Sequence, residues 1–215
     1  IPRDCVKEEN KYGEFNLFHS GGRIINYKKD LILFSMGEYR YRDHAQDSNS
    51  IFGKIISINK NTKNWRIISM GHRNPQGLYY DSQNDYIIST EHGPAGGDEI
   101  NININPGIGS LKNYGWPISS YGVHYDDKFE RKSAPLHKSH KKYGFIDPLK
   151  FYSPSIGISE IIKIPDKFNK YFKNDILICA MGTRLVEGDL SIHHLKFNED
   201  FSNIIDENVI QIGER

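Results

Sequence analysis

The sequence predicts an all-β fold, and three observations carry that prediction. About ten apolar runs of four to eight residues recur along the 215-residue chain, and several alternate apolar with polar residues. Clusters of Asn, Asp, Gly, Pro and Ser separate these runs, as turns separate strands. The chain also has 30 Ile but only 11 Leu and 4 Ala, and β-branched residues favour strands over helices. AT-rich coding also raises the Ile content, so this third observation counts least.

Each predicted element follows from its local pattern. Turn clusters at 59–64, 81–85, 106–110 and 187–189 bound the apolar runs. One segment, Asp166–Phe172, is predicted as a short helix. The predicted strands are, in chain order, Leu31–Met36, Ile55–Ile58, Trp65–Ser69, Gly77–Tyr80, Tyr86–Thr90, Ile100–Ile104, Ile158–Ile164, Ile176–Met181, Leu190–Phe197 and Val209–Ile212.

The spacing of these strands favours a β-propeller over a sandwich. Two strand pairs are close enough in sequence to form antiparallel hairpins, namely 55–58 with 65–69 and 77–80 with 86–90. Three long loops are rich in Gly, His and Asp, namely 37–53, 91–99 and 113–148. One sandwich domain rarely carries three such loops, whereas a propeller gathers them on one face. At roughly 40 to 45 residues per blade the chain corresponds to four to five blades, although no repeat motif is visible.

Composition excludes several classes of function. The 28 Lys and Arg balance 27 Asp and Glu, which argues against a nucleic-acid interface built on phosphate neutralisation. Cys5 and Cys179 are too few for a disulfide-dense scaffold or a Cys-based zinc finger. No apolar run approaches the roughly 18 to 20 residues of a membrane helix. The chain begins at Ile1 without a targeting signal and ends at Arg215 directly after a predicted strand, so we expect a piece of a longer protein.

A histidine near the start of the chain is a candidate general base. His19 precedes a Gly-Gly turn, and Glu38 follows the next predicted strand. If the strands that carry them are paired, the carboxylate can orient the imidazole, which is the geometry that a histidine base requires. The alternative, more common for a lone histidine, is a purely structural role in the turn.

The densest group of polar residues precedes a predicted hairpin. Arg73, Asn74 and Gln76 lie within four residues of one another, so their side chains can converge on a polyanionic or quinone-like ligand. After the hairpin, the glycine-rich segment 91–101 allows the backbone to approach a ligand or a metal closely. The alternative is a polar hairpin followed by an ordinary glycine-rich turn.

The same segment carries hard metal ligands. Main-chain carbonyl oxygens of this segment, with the carboxylates of Asp98 and Glu99, suit Ca²⁺ rather than zinc. The alternative is that these acids are simply solvated. Aromatic residues around 114–125 could form the wall of a pocket for a sugar or a planar cofactor, although aromatic residues in loops are often only packed.

Other catalytic motifs fail on inspection. The segment 107–112 stops short of the GxGxxG pattern and follows no βαβ unit, so a Rossmann site is unsupported. The chain contains no Walker, HExxH, CxxC or GxSxG motif.

Taken in order, these segments resemble the soluble pyrroloquinoline-quinone (PQQ)-dependent aldose sugar dehydrogenase family, also called the glucose/sorbosone dehydrogenase family. The matching segments are 19–23, 45–47, 53–55, 71–77, 91–99, 112–117 and 153–156. The resemblance covers nearly the whole chain. It implies a six-bladed propeller of which residues 1–215 form about four blades, with further blades missing at both ends. It also implies a periplasmic or secreted enzyme whose electron acceptor and oligomeric state are unknown.

The resemblance also implies roles for individual residues. His19 corresponds to the base that takes the proton of the sugar's anomeric hydroxyl, and Glu38 stands where the family usually has Asp, holding that imidazole. Arg73 and Asn74 correspond to a cofactor-binding pair, with Gln76 close by. The implied reaction is oxidation of an aldose to its lactone by hydride transfer from the anomeric carbon to PQQ.

The implied metal sites and the cofactor wall involve five further residues. The carbonyls of Gly93 and Pro94 correspond to ligands of the Ca²⁺ that polarises the quinone. Glu99 and Tyr114 correspond to ligands of a second calcium ion, and Tyr125 falls near the cofactor.

Two departures from the family pattern leave an alternative open. Gly182 stands where the family commonly has a Lys that contacts the quinone, with Arg184 as a possible substitute. Arg215 matches the first of two cofactor-binding arginines, and the second lies beyond this sequence. The alternative function is therefore a non-catalytic propeller module for binding or recognition that has lost the redox chemistry.

Overall fold

The computed structural model describes residues 17–125, 134–165, 167–168, 172, 174–182 and 190–213. Within these ranges the fold is all-β, with three sheets and three short 3-10 helices. The 3-10 helices span Leu17–His19, Arg42–Ala45 and Lys141–Tyr143. No helix in the described ranges is both long enough and apolar enough to cross a membrane.

The first sheet is an antiparallel meander with a short parallel strand added at its edge. Its order is β1-β2-β3-β4-β8, and β8 pairs in parallel with β4. Tight turns join β1 to β2 and β3 to β4, whereas the long loop 37–53 joins β2 to β3. The strands are β1 (Gly21–Tyr27), β2 (Leu31–Met36), β3 (Lys54–Asn59), β4 (Trp65–Met70) and β8 (Lys112–Asn113).

The second and third sheets are four-stranded and antiparallel. The second has the order β5-β6-β7-β9, and the third has the order β10-β11-β12-β13. The strands of the second are β5 (Pro75–Asp81), β6 (Tyr86–Glu91), β7 (Asp98–Ile104) and β9 (Lys150–Tyr152). The strands of the third are β10 (Ile158–Lys163), β11 (Asp175–Ala180), β12 (Leu190–Phe197) and β13 (Ile204–Gly213).

The core lies in two layers, one on each face of the second sheet. All six residues of β6 are buried, and Ile87 and Ile88 point to opposite faces because side chains alternate along a strand. Ile87 packs against the first sheet, in a cluster that contains Tyr27 and Leu33. Ile88 packs against the third sheet, in a cluster that contains Ile176. The second sheet therefore holds the other two sheets in place.

The structure bears out most of the predicted elements. All ten predicted strands overlap observed strands, and both predicted hairpins are present. Strand β1 is absent from the prediction because it begins with two glycines, and β8 and β9 are too short to leave a pattern. The predicted helix Asp166–Phe172 lies largely outside the described residues.

The described residues form three sheets, whereas residue count predicts four to five blades. The long loop 37–53 and the described parts of 114–149 place many residues outside the strands, so each sheet uses more chain than an average blade.

Candidate functional site

Two loops and the end of the first 3-10 helix meet at one end of the first two sheets. The Glu38 N–H donates to the Arg73 carbonyl at 2.9 Å, and the Tyr39 N–H donates to the His19 carbonyl at 3.2 Å. These main-chain bonds connect segments that are far apart in sequence. They fix the side chains of His19, Glu38 and Arg73 around one point.

The hydrogen bonds of His19 define its tautomer. Glu38 Oε1 lies 2.7 Å from Nδ1 of His19, and Nη2 of Arg73 lies 3.0 Å from its Nε2. A guanidinium can only donate, so Nε2 must accept, and the Nδ1 proton is therefore donated to the carboxylate. His19 is thus a neutral imidazole with its lone pair on Nε2. Its side chain is 13% exposed, so the imidazole is partly accessible to solvent.

Burial and charge keep the imidazole of His19 neutral. Burial lowers the pKa of His19 from its usual 6.5, and the positive charge of Arg73 lowers it further, while the hydrogen bond that Nδ1 donates to Glu38 opposes both effects. Glu38 has no exposed surface. A neutral imidazole held by a buried carboxylate is an arrangement suited to accept a proton.

Asn74 and Gln76 lie beside His19, but their side chains are largely used to brace the backbone. Asn74 Oδ1 accepts from the Gly21 N–H at 3.0 Å and from Gln76 Nε2 at 2.8 Å. Asn74 Nδ2 donates to the Phe18 carbonyl at 3.0 Å. This leaves one amide hydrogen of Asn74 for a ligand. In this structure Asn74 holds the segment that carries His19.

Arg73 connects His19 to the glycine-rich turn. Its Nη1 donates to the His92 carbonyl at 3.0 Å, and its guanidinium lies 5.4 Å from the centre of the Trp116 ring. Arg42 lies over the same ring at 5.9 Å. The sequence pattern predicts no role for Arg42. The feature of the sequence that points to Arg42 is its position in the loop after Glu38, two residues from another arginine.

The glycine-rich turn fits a hard cation at Gly93 and Pro94. The Gly93 N–H donates to Asp98 Oδ1 at 3.0 Å, so the carboxylate of Asp98 organises the turn. Among the described residues, no hydrogen bond reaches the Gly93 carbonyl, and the Pro94 carbonyl accepts one weak bond from Ser155 Oγ at 3.4 Å. Two available carbonyls match the oxygen ligands that Ca²⁺ prefers. A Cβ on Gly93 would lie 2.0 Å from the Gly97 carbonyl oxygen, so the turn requires glycine there.

A buried acidic pair lies behind the turn. Glu91 and Glu99 face each other across β6 and β7, and Asn101 donates to both at 3.3 Å. Burial and the nearby charge of Glu91 raise the pKa of Glu99 well above its usual value. His140 Nε2 lies 3.7 Å from Glu99 Oε1. Two buried carboxylates side by side are a donor set that a bound cation would neutralise.

Tyr114 fits this second site only through its backbone. Its hydroxyl donates to the Ile102 carbonyl at 2.6 Å, so its main-chain carbonyl is the atom left to bind a cation. In the described ranges, no three side chains of His, Cys, Asp or Glu come together in a metal-binding group. Any cation here therefore depends on carbonyl oxygens as well as Glu99.

Another histidine has similar partners but no access to solvent. His72 is completely buried, with Nε2 2.8 Å from Ser69 Oγ and Nδ1 3.2 Å from Glu91 Oε2. Its ring stacks on Tyr114 with 4.9 Å between ring centres. Both ring nitrogens are engaged inside the protein, so His72 supports the fold.

The family model for "Glucose / Sorbosone dehydrogenase" matches residues 8–212. The chain belongs to the glucose/sorbosone dehydrogenase family. An uncharacterized protein of Synechocystis is 32% identical over 92% of this chain and 49% of its own length. Quinoprotein glucose dehydrogenase B of Acinetobacter calcoaceticus is 31% identical over 46% of this chain and 22% of its own length.

The structure is also similar to known members of the family. The soluble aldose sugar dehydrogenase of Escherichia coli, solved in its apo form, has a TM-score of 0.68 and 27% identity. The similarity covers 93% of this chain and 55% of that chain. The chain thus spans about half the length of these relatives. Its three sheets correspond to about half of a six-bladed propeller structure.

The structure describes only some of the other residues to which the family resemblance assigns a role. Tyr125 is 75% exposed at the end of a described segment. Gly182 donates its N–H to the Ile156 carbonyl at 2.9 Å and has a positive φ of 92°, so it forms part of a turn. Arg184 and Arg215 lie outside the described residues, as does Cys5, and Cys179 is exposed as a free thiol.

Proposed function

We propose that this protein is a PQQ- and calcium-dependent aldose sugar dehydrogenase that oxidises the anomeric carbon of a sugar to a lactone. The observation that carries the proposal is the chain of contacts from Glu38 through His19 and Arg73 to the His92 carbonyl. It sets a proton acceptor beside the turn whose carbonyls suit calcium. Membership of a family with quinoprotein relatives supports the same reaction.

His19 would take the proton of the sugar's anomeric hydroxyl. Its lone pair is on Nε2, so the hydroxyl must approach from that side and share or replace the contact with Arg73. Glu38 would stabilise the imidazolium that forms, because its buried carboxylate already accepts the Nδ1 proton. When bound, PQQ supplies a two-electron acceptor for the hydride and Ca²⁺ polarises its carbonyl.

The residues that would hold the cofactor lie on both sides of His19. Arg73, Asn74 and Gln76 would bind PQQ, with Arg73 well placed because it already reaches the turn. The carbonyls of Gly93 and Pro94 would bind the calcium ion. We assign Tyr125 to the wall of this pocket on the strength of the family resemblance, which places it near the cofactor.

A second calcium ion would be bound by Glu99 and the main-chain carbonyl of Tyr114. Its role would be structural, since it would neutralise the acidic pair and stabilise the base of the turn.

Residues 1–215 would form part of a six-bladed propeller whose other blades are encoded elsewhere in the protein. Arg215, the last of these residues, would contribute to the cofactor site. Export to the periplasm stays a prediction from the family.

The test is sugar-dependent dye reduction by the protein expressed from its complete reading frame, with PQQ and Ca²⁺ added. We expect turnover with an aldose, and a loss of about 10²- to 10⁴-fold in His19→Ala, because general bases typically contribute that much. PQQ binding, followed by its absorbance, should be largely retained. His137→Ala is the matched control, since His137 stacks on Tyr143 away from the site. Unchanged turnover in His19→Ala would refute the assignment of the base.

A second candidate function is a propeller module that binds a ligand without redox chemistry. The observation in its favour is Gly182, which offers no side chain where the family places a Lys. Titration of the protein with PQQ in the presence and absence of Ca²⁺ distinguishes the two functions. Calcium-dependent binding of PQQ supports the enzyme, whereas no such binding supports the module.

A further inference from the structure

His140 is a buried imidazole whose ring nitrogens make no hydrogen bond with any described residue. Its side chain is 1% exposed, and buried polar atoms are normally hydrogen-bonded to protein or to water. Glu99 Oε1 lies 3.7 Å from Nε2, and Asp147 Oδ1 lies 4.0 Å from Nδ1. Both distances are longer than a hydrogen bond. The imidazole of His140 therefore faces the acidic pair of Glu91 and Glu99 without bonding to it.

Packing against two neighbours fixes the orientation of the His140 ring. One face of the ring stacks on Tyr121, with 5.1 Å between the ring centres. At the ring edge, a Cβ on Gly115 would lie only 3.0 Å from Cδ2 of His140, so this edge lies against the backbone. Because Nε2 is bonded to Cδ2, it is close both to Glu99 and to the peptide group that joins Tyr114 to Gly115. These are the residues of the second cation site proposed above.

The acidic pair lacks a cation that would neutralise it. In the described ranges, no lysine or arginine forms an ion pair with Glu91 or Glu99. The ionisable groups within 4.0 Å of their carboxylates are instead the imidazoles of His72 and His140. Buried charges are normally paired or bound to a metal. Two atoms that each lie about 2.0–2.2 Å from one metal ion are roughly 3 to 3.5 Å apart, so a slight closure of the 3.7 Å between His140 and Glu99 accommodates a cation.

Asp147 lies at the opposite nitrogen of the same ring. Its Oδ1 is 4.0 Å from Nδ1 of His140, and it accepts a hydrogen bond from the Tyr121 hydroxyl at 3.2 Å. A carboxylate on this side favours a proton on Nδ1, which leaves the lone pair on Nε2, toward Glu99. Histidines that bind metals almost always have this arrangement, in which one nitrogen binds the ion and the other faces a carboxylate, a carbonyl or water.

We propose that Nε2 of His140 is a ligand of the second cation site, with Glu99 and the Tyr114 carbonyl, and that this site binds a zinc-class divalent ion more tightly than Ca²⁺. The inference deepens the proposed function at its second cation site but does not depend on sugar oxidation. Ca²⁺ is bound by oxygen ligands, whereas Zn²⁺ accepts imidazole nitrogen together with carboxylate oxygen. A nitrogen ligand therefore shifts the preference of the site away from calcium. The ion would connect β7 to the segments that carry Tyr114 and His140.

The test is metal binding by the protein expressed from its complete reading frame, freed of metal with a chelator. Zn²⁺ is titrated by calorimetry with Ca²⁺ in excess, and we expect one Zn²⁺ ion to bind and to raise the Tm. In His140→Gln, which replaces the nitrogen ligand by an oxygen, Zn²⁺ affinity should fall by about 100-fold, whereas Ca²⁺ affinity should not fall. Co²⁺ reports the ligand directly, because its visible absorption depends on the coordinating atoms and should change in His140→Gln. His193→Gln is the matched control, since His193 is also buried beside a carboxylate but lies in β12, and it should leave both measurements unchanged.

The outcomes separate this inference from the proposed function. Tighter binding of Ca²⁺ than of Zn²⁺ at this site overturns the inference, and so does equal Zn²⁺ affinity in the wild type and His140→Gln. Neither result concerns sugar oxidation. If Zn²⁺ binds as expected and no aldose is oxidised, the proposed function fails and the inference holds. If His140→Gln does not fold, Asp147→Asn takes its place, because the Asp147 side chain is 45% exposed. That variant should weaken Zn²⁺ binding by about 10-fold, and an unchanged affinity overturns the inference.

Discussion

Replacing Glu38 by Gln tests the central contact of the proposed site. The substitution keeps the size of the side chain and an oxygen that can accept the Nδ1 proton of His19, but it removes the negative charge. Glu38 is fully buried and lies 2.7 Å from His19, so water cannot substitute for that charge. The effect of the variant therefore reports the charge of the carboxylate rather than the shape of the site.

The expected loss of activity follows from the strength of the hydrogen bond between His19 and Glu38. A hydrogen bond to a charged group contributes about 1.5–3 kcal/mol, and 1.36 kcal/mol corresponds to one pKa unit. Since the bond to Glu38 raises the pKa of His19, its weakening should lower that pKa further. The imidazolium that forms during catalysis loses the same support. We therefore expect kcat/KM to fall by about 10- to 100-fold.

The assay is the pH dependence of kcat/KM for dye reduction. His19 acts as a base only when neutral, so activity is lost as the pH falls through its pKa. In Glu38→Gln the plateau should drop and the acidic limb should move to lower pH. Asp85→Asn is the matched control, because Asp85 pairs with Lys28 at the far end of β5. An unchanged plateau, or an acidic limb that moves to higher pH, would refute the role of Glu38.

Three further predictions concern the framework of the site. Lys54 donates to three main-chain carbonyls at 2.6 to 3.0 Å, so Lys54→Met should lower the free energy of unfolding in urea by at least about 2 kcal/mol. Because burial and Glu91 raise the pKa of Glu99, the calcium-free protein should lose stability as the pH rises from about 4.5 through that raised pKa. At pH 7, Glu99→Gln should therefore raise the Tm of the calcium-free protein and reduce the gain in Tm on adding calcium. Gly97→Ala should lower the free energy of unfolding in urea by about 2 kcal/mol more than Gly109→Ala does. Both glycines have φ near +75°, but only a Cβ at residue 97 would clash, since it would lie 2.3 Å from a backbone nitrogen.

The contact between His19 and Glu38 was within reach of sequence reasoning. Both residues flank strands that pair, and the pairing follows from the short turn between β1 and β2. The sequence pattern does not predict β1 itself. It does predict that the residues next to the Gly-Gly turn, including His19, lie at the end of the sheet. The structure confirms that the two side chains meet, and their catalytic roles stay predictions.

Other parts of the site depend on packing that no local pattern encodes. Asn74 was predicted to bind a cofactor, yet it mostly braces the backbone at Gly21 and Phe18. The approach of Arg42 to Trp116 joins residues 74 positions apart through the folded loops. The pairing of Glu91 with Glu99, by contrast, could be predicted from the sequence. Glu91 is the last residue of β6 and Glu99 the second residue of β7, so the antiparallel register of this hairpin places them opposite each other.

A comparison of His72 with His19 shows why residue type alone does not identify a base. His72 and His19 each have a carboxylate at Nδ1, and each has a hydrogen-bonding group at Nε2. At His72 the group at Nε2 is the hydroxyl of Ser69 inside a sealed core, so no substrate can replace it. At His19 it is the guanidinium of Arg73, which is buried and also reaches the glycine-rich turn, while the His19 side chain itself is 13% exposed. The imidazole of His19 is therefore in contact with solvent, whereas that of His72 is not. Access to the imidazole, set by the loops around the sheet ends, thus separates a proposed catalytic histidine from a structural one.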